Sequence, residues 1–166
     1  PKERLWVTVF GGDVADKLPA DDAAERVWTE RMRVPRERVL RFGRKDNFWE
    51  MGETGPCGPC SEIHLDCGPE WGDGGGPAHG SGDRYIAFWN LVFMSYELHA
   101  DGTLTPLPKQ NIDTGLGLER GAAILQGVMS VYDTDGYRQI MDWIAAESGV
   151  AYGDSPAATK AHRILA

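Results

Sequence analysis

The run from Tyr85 to Leu98 constrains this chain more than any other segment. Its even positions (Ile86, Phe88, Val92, Met94) and its odd positions (Tyr85, Ala87, Trp89, Leu91, Phe93) are both apolar. A strand with that pattern is expected to be buried on both faces, and so to lie inside a sheet. Asn90 is the one polar interruption. An unpaired amide there would cost ~1–3 kcal/mol, so the strand must offer it a partner. That partner is either a structural hydrogen bond or a ligand. Val92 and Met94 point to the same side as Asn90, and a polar spot on an apolar wall is how small-molecule pockets are lined.

The other elements fall around this strand. Leu5-Trp-Val-Thr-Val-Phe10 is rich in β-branched and aromatic residues and stops at Gly11-Gly12, which predicts a strand and a turn. Asp21 and Asp22 open a helix whose apolar residues recur at three- and four-residue steps until Pro35. Residues 47–60 have no clean period and carry Gly52, Gly55, Pro56, Gly58 and Pro59, so they are expected to form a rigid, turning loop. Ser61 to Asp66 alternates as a short strand. Gly68 to Gly82 holds seven glycines and two prolines, which predicts a long surface excursion, either a plain insertion or a functional lid. Asp101-Gly102 signals a hairpin with Thr103 to Leu107 returning, and Lys109 to Asp113 reads as a last strand. A helix from Thr114, as N-cap, to Gln126 follows; another spans Tyr137 to Ala146 and closes at Gly149, and a third begins at Ala157. Hairpin-linked strands with helices to the side make an antiparallel α+β sheet.

Composition narrows the function. The 166 residues are 42% apolar and 25% charged, a globular balance, with a net charge of −8 that opposes a surface gripping nucleic acid along its whole face. Arg31 to Lys45 holds seven basic residues against Glu37 alone, about +6 locally, either a solvated face or a site for phosphates or RNA. No apolar stretch approaches the roughly 18 residues needed to span a bilayer, and a cytoplasmic location is expected. The chain opens on Pro1 and closes inside a helix, so a piece of a longer protein is expected. Cys57, Cys60 and Cys67, with His79 beyond them, have the residue types of a zinc site; a redox pair and simple buried thiols are the alternatives. His64, His79, His99 and His162 read as surface or packing residues.

Asp113 ends a strand and would serve as a turn or capping carboxylate if it stood alone. Gly115, Gly117 and Gly121 in the predicted helix are costly, at ~1 kcal/mol each against alanine, which suggests that something approaches the backbone. Arg120 on the same helix calls for an anion, either a carboxylate or a phosphate.

Three blocks, Asn47-Phe-Trp-Glu-Met-Gly-Glu-Thr-Gly-Pro-Cys-Gly-Pro-Cys-Ser-Glu62, Gly82 to Met94, and Asp113-Thr-Gly-Leu-Gly-Leu-Glu-Arg120, together resemble the catalytic domain of alanyl-tRNA synthetases. Gly115 to Arg120 is similar to motif 3 of class II synthetases. The resemblance implies residues 1–166 as part of one aminoacylation domain with the class II antiparallel sheet. It also implies an enzyme that joins alanine to ATP and passes the alanyl group to tRNA(Ala). Carried over by position, Asp113 holds the α-ammonium, Trp49 and Asn90 with Val92 form the walls of the alanine pocket, and Gly115 limits its size. Arg120 meets the ATP γ-phosphate, Gly117 belongs to the ATP site, and Mg²⁺ shares the phosphates.

Telling alanine from glycine or serine rests on only ~1–3 kcal/mol, so the resemblance implies a separate editing domain outside this chain. Motifs 1 and 2 are expected upstream of Pro1, and the isolated 166 residues are expected not to make alanyl-adenylate. A non-catalytic binding module or fragment is the rival reading.

Overall fold

A computed structural model describes residues 2–166 and resolves them into two compact units, one ending at Leu116 and the other spanning Gly117–Ala166. The first holds a six-stranded sheet built from β1 (Leu5–Phe10), β2 (Val39–Phe42), β3 (Phe48–Glu50), β4 (Gly55–Asp66), β5 (Tyr85–Leu98) and β6 (Leu104–Leu116). The path is β2-β1-β4-β5-β6, with β3 pairing β4 beyond the end of β1. Every pairing is antiparallel except β1 with β2. The mixed α+β, mostly antiparallel expectation therefore holds.

Between β1 and β2 lies the helical crossover. Helix α1 (Asp22–Arg26) starts where Asp21 accepts from the Ala24 amide at 2.9 Å, and it widens into a π turn over Val27–Arg31. The apolar side of this segment covers Val7, Val9 and Val39, with Trp28 and Phe93 at the margin. Trp28 donates from Nε1 to Ser61 Oγ at 3.1 Å, which joins the helix to β4. A second cluster, Phe10, Leu18, Phe48, Cys57 and Leu98, closes the end of the sheet where β3 lies.

Several segments depart from the sequence reading. Residues 47–60 are not a loop: α2 (Arg44–Asn47) leads into β3, and Gly55–Asp66 is one strand of 12 residues. Its glycines and prolines coincide with a register shift between Cys57 and Cys60. A side chain at Gly58 would run into the Phe93 carbonyl oxygen, so β4 and β5 can approach only because that position has none. Likewise, residues 104–116 form one strand, broken in register between Met94 and Tyr96 of its partner. Its Pro106 and Pro108 are tolerated on the edge of the sheet. The predicted helix does not start at Thr114. Cross-strand bonds hold Thr114 in β6, because its hydroxyl donates to the Asn90 carbonyl at 3.0 Å and accepts from Trp89 Nε1 at 2.7 Å. Nor is β5 buried on both faces: only Val92 and Leu98 are buried, and Trp89 is 38% exposed.

The glycine-rich excursion is anchored. Arg84 reaches both oxygens of Asp66 at 2.7 and 3.0 Å and also the Gly72 carbonyl at 3.2 Å. Gly76 and Gly80 lie so close to the Trp6 and Tyr85 rings that a side chain would overlap them.

The second unit is helical: α3 (Leu118–Gln126), α4 (Asp135–Ser148) and α5 (Pro156–Leu165). Gly149 ends α4 in the left-handed conformation at φ 68°. Gln126 and Asp135 exchange two hydrogen bonds, and Arg163 stacks over Tyr132 and Tyr152. His162 is 3% exposed, a packing residue with Nδ1 at 2.8 Å from the Ala158 carbonyl.

Two outcomes follow. Gly58→Ala should lower the unfolding free energy measured in urea by about 2 kcal/mol or more, since the neighbour it strikes is backbone. The Arg84 guanidinium also holds the Asp66 carboxyl below its ordinary value. That contribution is complete above the ordinary carboxylate range and is lost as pH falls through the depressed value. An acid titration followed by fluorescence should therefore lose part of its pH dependence in Arg84→Leu.

Candidate functional site

Sheet register brings together four of the residues singled out in the sequence. Val92 lies opposite Asp113 and Asn90 opposite Gly115 across β5 and β6; on the other side, Cys60 lies opposite Val92 and Glu62 opposite Asn90. Directly paired residues share a face with Cβ atoms roughly 4.5–5.5 Å apart. Alternation then places Asn90, Val92, Asp113 and Gly115 on one patch of one face, the face away from α1. Trp49 pairs with Gly58 on the neighbouring stretch of β4 and points opposite to Phe48, which is buried in the core. It therefore stands toward the same side as the patch.

The patch mixes burial with open polar groups. Val92 is 4% exposed, Asn90 and Trp49 are half-buried, and Asp113 and Gly115 are exposed. Asp113 accepts the Thr114 amide on one oxygen at 2.8 Å, leaving acceptor capacity over. Asn90 Oδ1 is buried with no hydrogen-bond partner. A buried acceptor without a donor is costly, and a cationic ligand beside Asp113 would supply one.

Gly115 needs another explanation than folding. It sits in β6, not in a helix; its φ is not positive, and an added Cβ would meet nothing within 4 Å. Its bareness leaves space beside Asn90. Gly117 is the N-cap of α3 and makes no side-chain bond; Arg120 lies in that helix's first turn. Only Gly121 is a helix-interior glycine, so the three-glycine argument reduces to one. Backbone amides at the start of a helix such as α3 are of the kind that receives anions.

The three thiols do not form a metal centre. Cys57 belongs to the apolar cluster with Phe10 and Phe48, while Cys60 lies on the face carrying Val92. Cys67 contacts the Leu65 carbonyl at 3.9 Å past the end of β4. Among the described residues no group of three or more His, Cys, Asp or Glu could hold a metal ion. Burial pushes all three thiols up, Cys60 to about 12, so they remain protonated. The basic stretch is partly answered by carboxylates: Arg36 and Arg41 bind Glu25, Arg41 also binds Asp22, and Arg44 binds Asp16 and Glu50.

Sequence reasoning missed three participants. Asn47, fully buried, donates from Nδ2 to the Cys60 carbonyl at 3.1 Å. Glu62 lies beside Asn90, 3.5 Å from His64, which is buried, in keeping with the packing reading, and stands 3.3 Å from the Thr8 hydroxyl. Glu62 and His64 fall within the alternating run from Ser61 to Asp66, so that signal was present for them, whereas no local pattern marks Asn47.

An antiparallel sheet with a polar patch of this composition, followed at once by a helix bearing an arginine in its first turn, matches one family. The family model for tRNA synthetases class II (A) spans residues 1–166, and the chain belongs to that family. An alanine–tRNA ligase from Acidithiobacillus ferridurans is 49% identical over 168 residues, covering all of this chain and 18% of that protein. The chain thus spans less than a fifth of that relative.

If Gly115 is bare for a ligand's sake, Gly115→Ala should leave stability unchanged or raise it by up to about 1 kcal/mol in urea unfolding. A clear loss would mean that the fold itself requires glycine there.

Proposed function

We propose that this chain is the amino-acid-holding part of an alanine–tRNA ligase, which condenses alanine with ATP to alanyl-adenylate and pyrophosphate and then esterifies tRNA(Ala). The observation that carries this reading is the pairing of Val92 with Asp113 and of Asn90 with Gly115 on one sheet face, with an unanswered acceptor on Asn90. The 49% identity to a ligase of that specificity supports it. Both compact units are read as parts of one catalytic domain, working in the cytoplasm.

Each group has a physical task. The Asp113 carboxylate binds the α-ammonium in a charge-assisted contact, and Asn90 Oδ1 accepts a second N–H. Val92 and Trp49 give the methyl group apolar walls, and Gly115 leaves only a small space. Arg120 binds the γ-phosphate of the magnesium complex of ATP, and Gly117 with the first amides of α3 contributes donors to the nucleotide. The alanine carboxylate attacks the α-phosphorus and pyrophosphate leaves with the bond electrons. Positioning and fixed positive charge carry the rate, and no protein nucleophile takes part.

In the full-length ligase, Asp113→Asn should raise the alanine KM about ten- to hundredfold in alanine-dependent ATP–pyrophosphate exchange, with the ATP KM little changed. An unchanged alanine KM would remove Asp113 from this role.

A further inference from the structure

Asn47 is fully buried, and its side chain stands in for a rung of the sheet. The pairs Glu50 with Cys57, Trp49 with Gly58 and Phe48 with Pro59 run on to Asn47 opposite Cys60. In an antiparallel ladder, hydrogen-bonded rungs recur at every second pair. Met51 gives its backbone amide to the Pro56 carbonyl at 3.3 Å, so the rungs fall at positions 51, 49 and 47. At position 47 the backbone cannot supply one, because the Asn47 amide already binds the Gly43 carbonyl at 3.0 Å within the turn of α2. The side chain replaces it: Asn47 Nδ2 donates to the Cys60 carbonyl at 3.1 Å. A weaker contact returns from Cys60 Sγ to the Asp46 carbonyl at 4.0 Å.

This clasp lies between two walls of the proposed pocket. Trp49 follows Asn47 by two residues on β3, and Val92 lies opposite Cys60 on β5. The strand that carries Trp49 is only three residues long, and its outer rung is single because Pro56 has no N–H. Gly58, the partner of Trp49, falls within the register shift between β4 and β5, so the first regular pair with β5 beyond it is Cys60 with Val92. The bond from Asn47 to Cys60 therefore ties the Trp49 segment to the residue that faces Val92. Folding alone is a poor reason for an asparagine there. Its Oδ1 is buried without a partner; an apolar residue would remove that orphan and create another at the Cys60 carbonyl. What the amide secures is position.

We propose that Asn47 is a positioning residue for the amino-acid pocket: its bond to the Cys60 carbonyl sets the gap between Trp49 and Val92, and with it the size of side chain the pocket admits. The inference rests on the alanine–tRNA ligase reading and deepens it. Asn47 touches no substrate atom.

The test uses the full-length ligase with Asn47→Ala, which removes the donor, and Asn47→Asp, which keeps the shape and sets an acceptor against the carbonyl. Alanine-dependent and 2-aminobutyrate-dependent ATP–pyrophosphate exchange are measured, with the ATP KM read separately. Asn47→Ala should raise the alanine KM about tenfold, move the ATP KM less than about twofold, and cut the preference for alanine over the one-methylene-longer 2-aminobutyrate about tenfold. Asn47→Asp should do at least as much. Asn47→Ser keeps a donor on a shorter reach and should fall between parent and Asn47→Ala. A purely structural role would lower the active fraction, and so kcat, while leaving both KM values and the preference where they were; that result would overturn the inference. Failure of all three variants to fold would also overturn it, since Asn47 would then serve the fold rather than the pocket. A parent enzyme without alanine-dependent exchange would defeat the ligase reading itself, an outcome recognised before any variant is made.

Discussion

The pairing of β4 with β5 is the constraint on which the rest depends. These are two of the longest strands, and together they form the middle of the sheet, carrying β1 and β3 on one side and β6 on the other. Their register sets which residues share a face. Because side chains alternate, a slip of one residue would move Asn90 and Val92 to the α1 side and bring Leu91 and Phe93 to the patch. Two irregularities, between Cys57 and Cys60 and between Ile63 and His64, keep the strands in step despite their length and twist.

Polar groups on this face follow a different logic from the ion pairs elsewhere in the chain. Asp66 with Arg84, and Glu25 with Arg36 and Arg41, are closed pairs whose charges are answered within the protein. Asn90 and Asn47 instead keep a buried oxygen unanswered, and Asp113 keeps acceptor capacity facing outward. Native folds seldom leave such groups unsatisfied, since each costs about as much as a lost hydrogen bond. Their gathering at one place is what separates a candidate binding patch from ordinary surface polarity.

Glycine carries two opposite meanings here. At Gly58 the missing side chain lets two backbones touch, and at Gly115 it leaves a space that no protein atom fills. Both positions look alike in the sequence. The reading that placed Gly115 and Gly117 inside a helix failed because Thr114 and its neighbours find hydrogen-bond partners on β5, which outweigh the local helix signal. The reading of residues 47–60 as a loop failed for a related reason: prolines and glycines that would end an isolated strand are tolerated when β3 and β5 flank it and a register shift absorbs them.

Local chemistry alone determined the strands at Leu5–Phe10 and Tyr85–Leu98, the Asp21 cap, the Gly149 stop and the motif residues Asn90, Asp113 and Arg120, since each depends on side chains only a few positions apart. Tertiary structure decided that Cys57 and Cys60 face opposite ways, that Asn47 and Cys60 lie under the patch, and that Asp113 stands across from Val92. These facts rest on hydrogen bonds between strands far apart in the chain, and no pattern within a single strand specifies which residue of another will lie beside it.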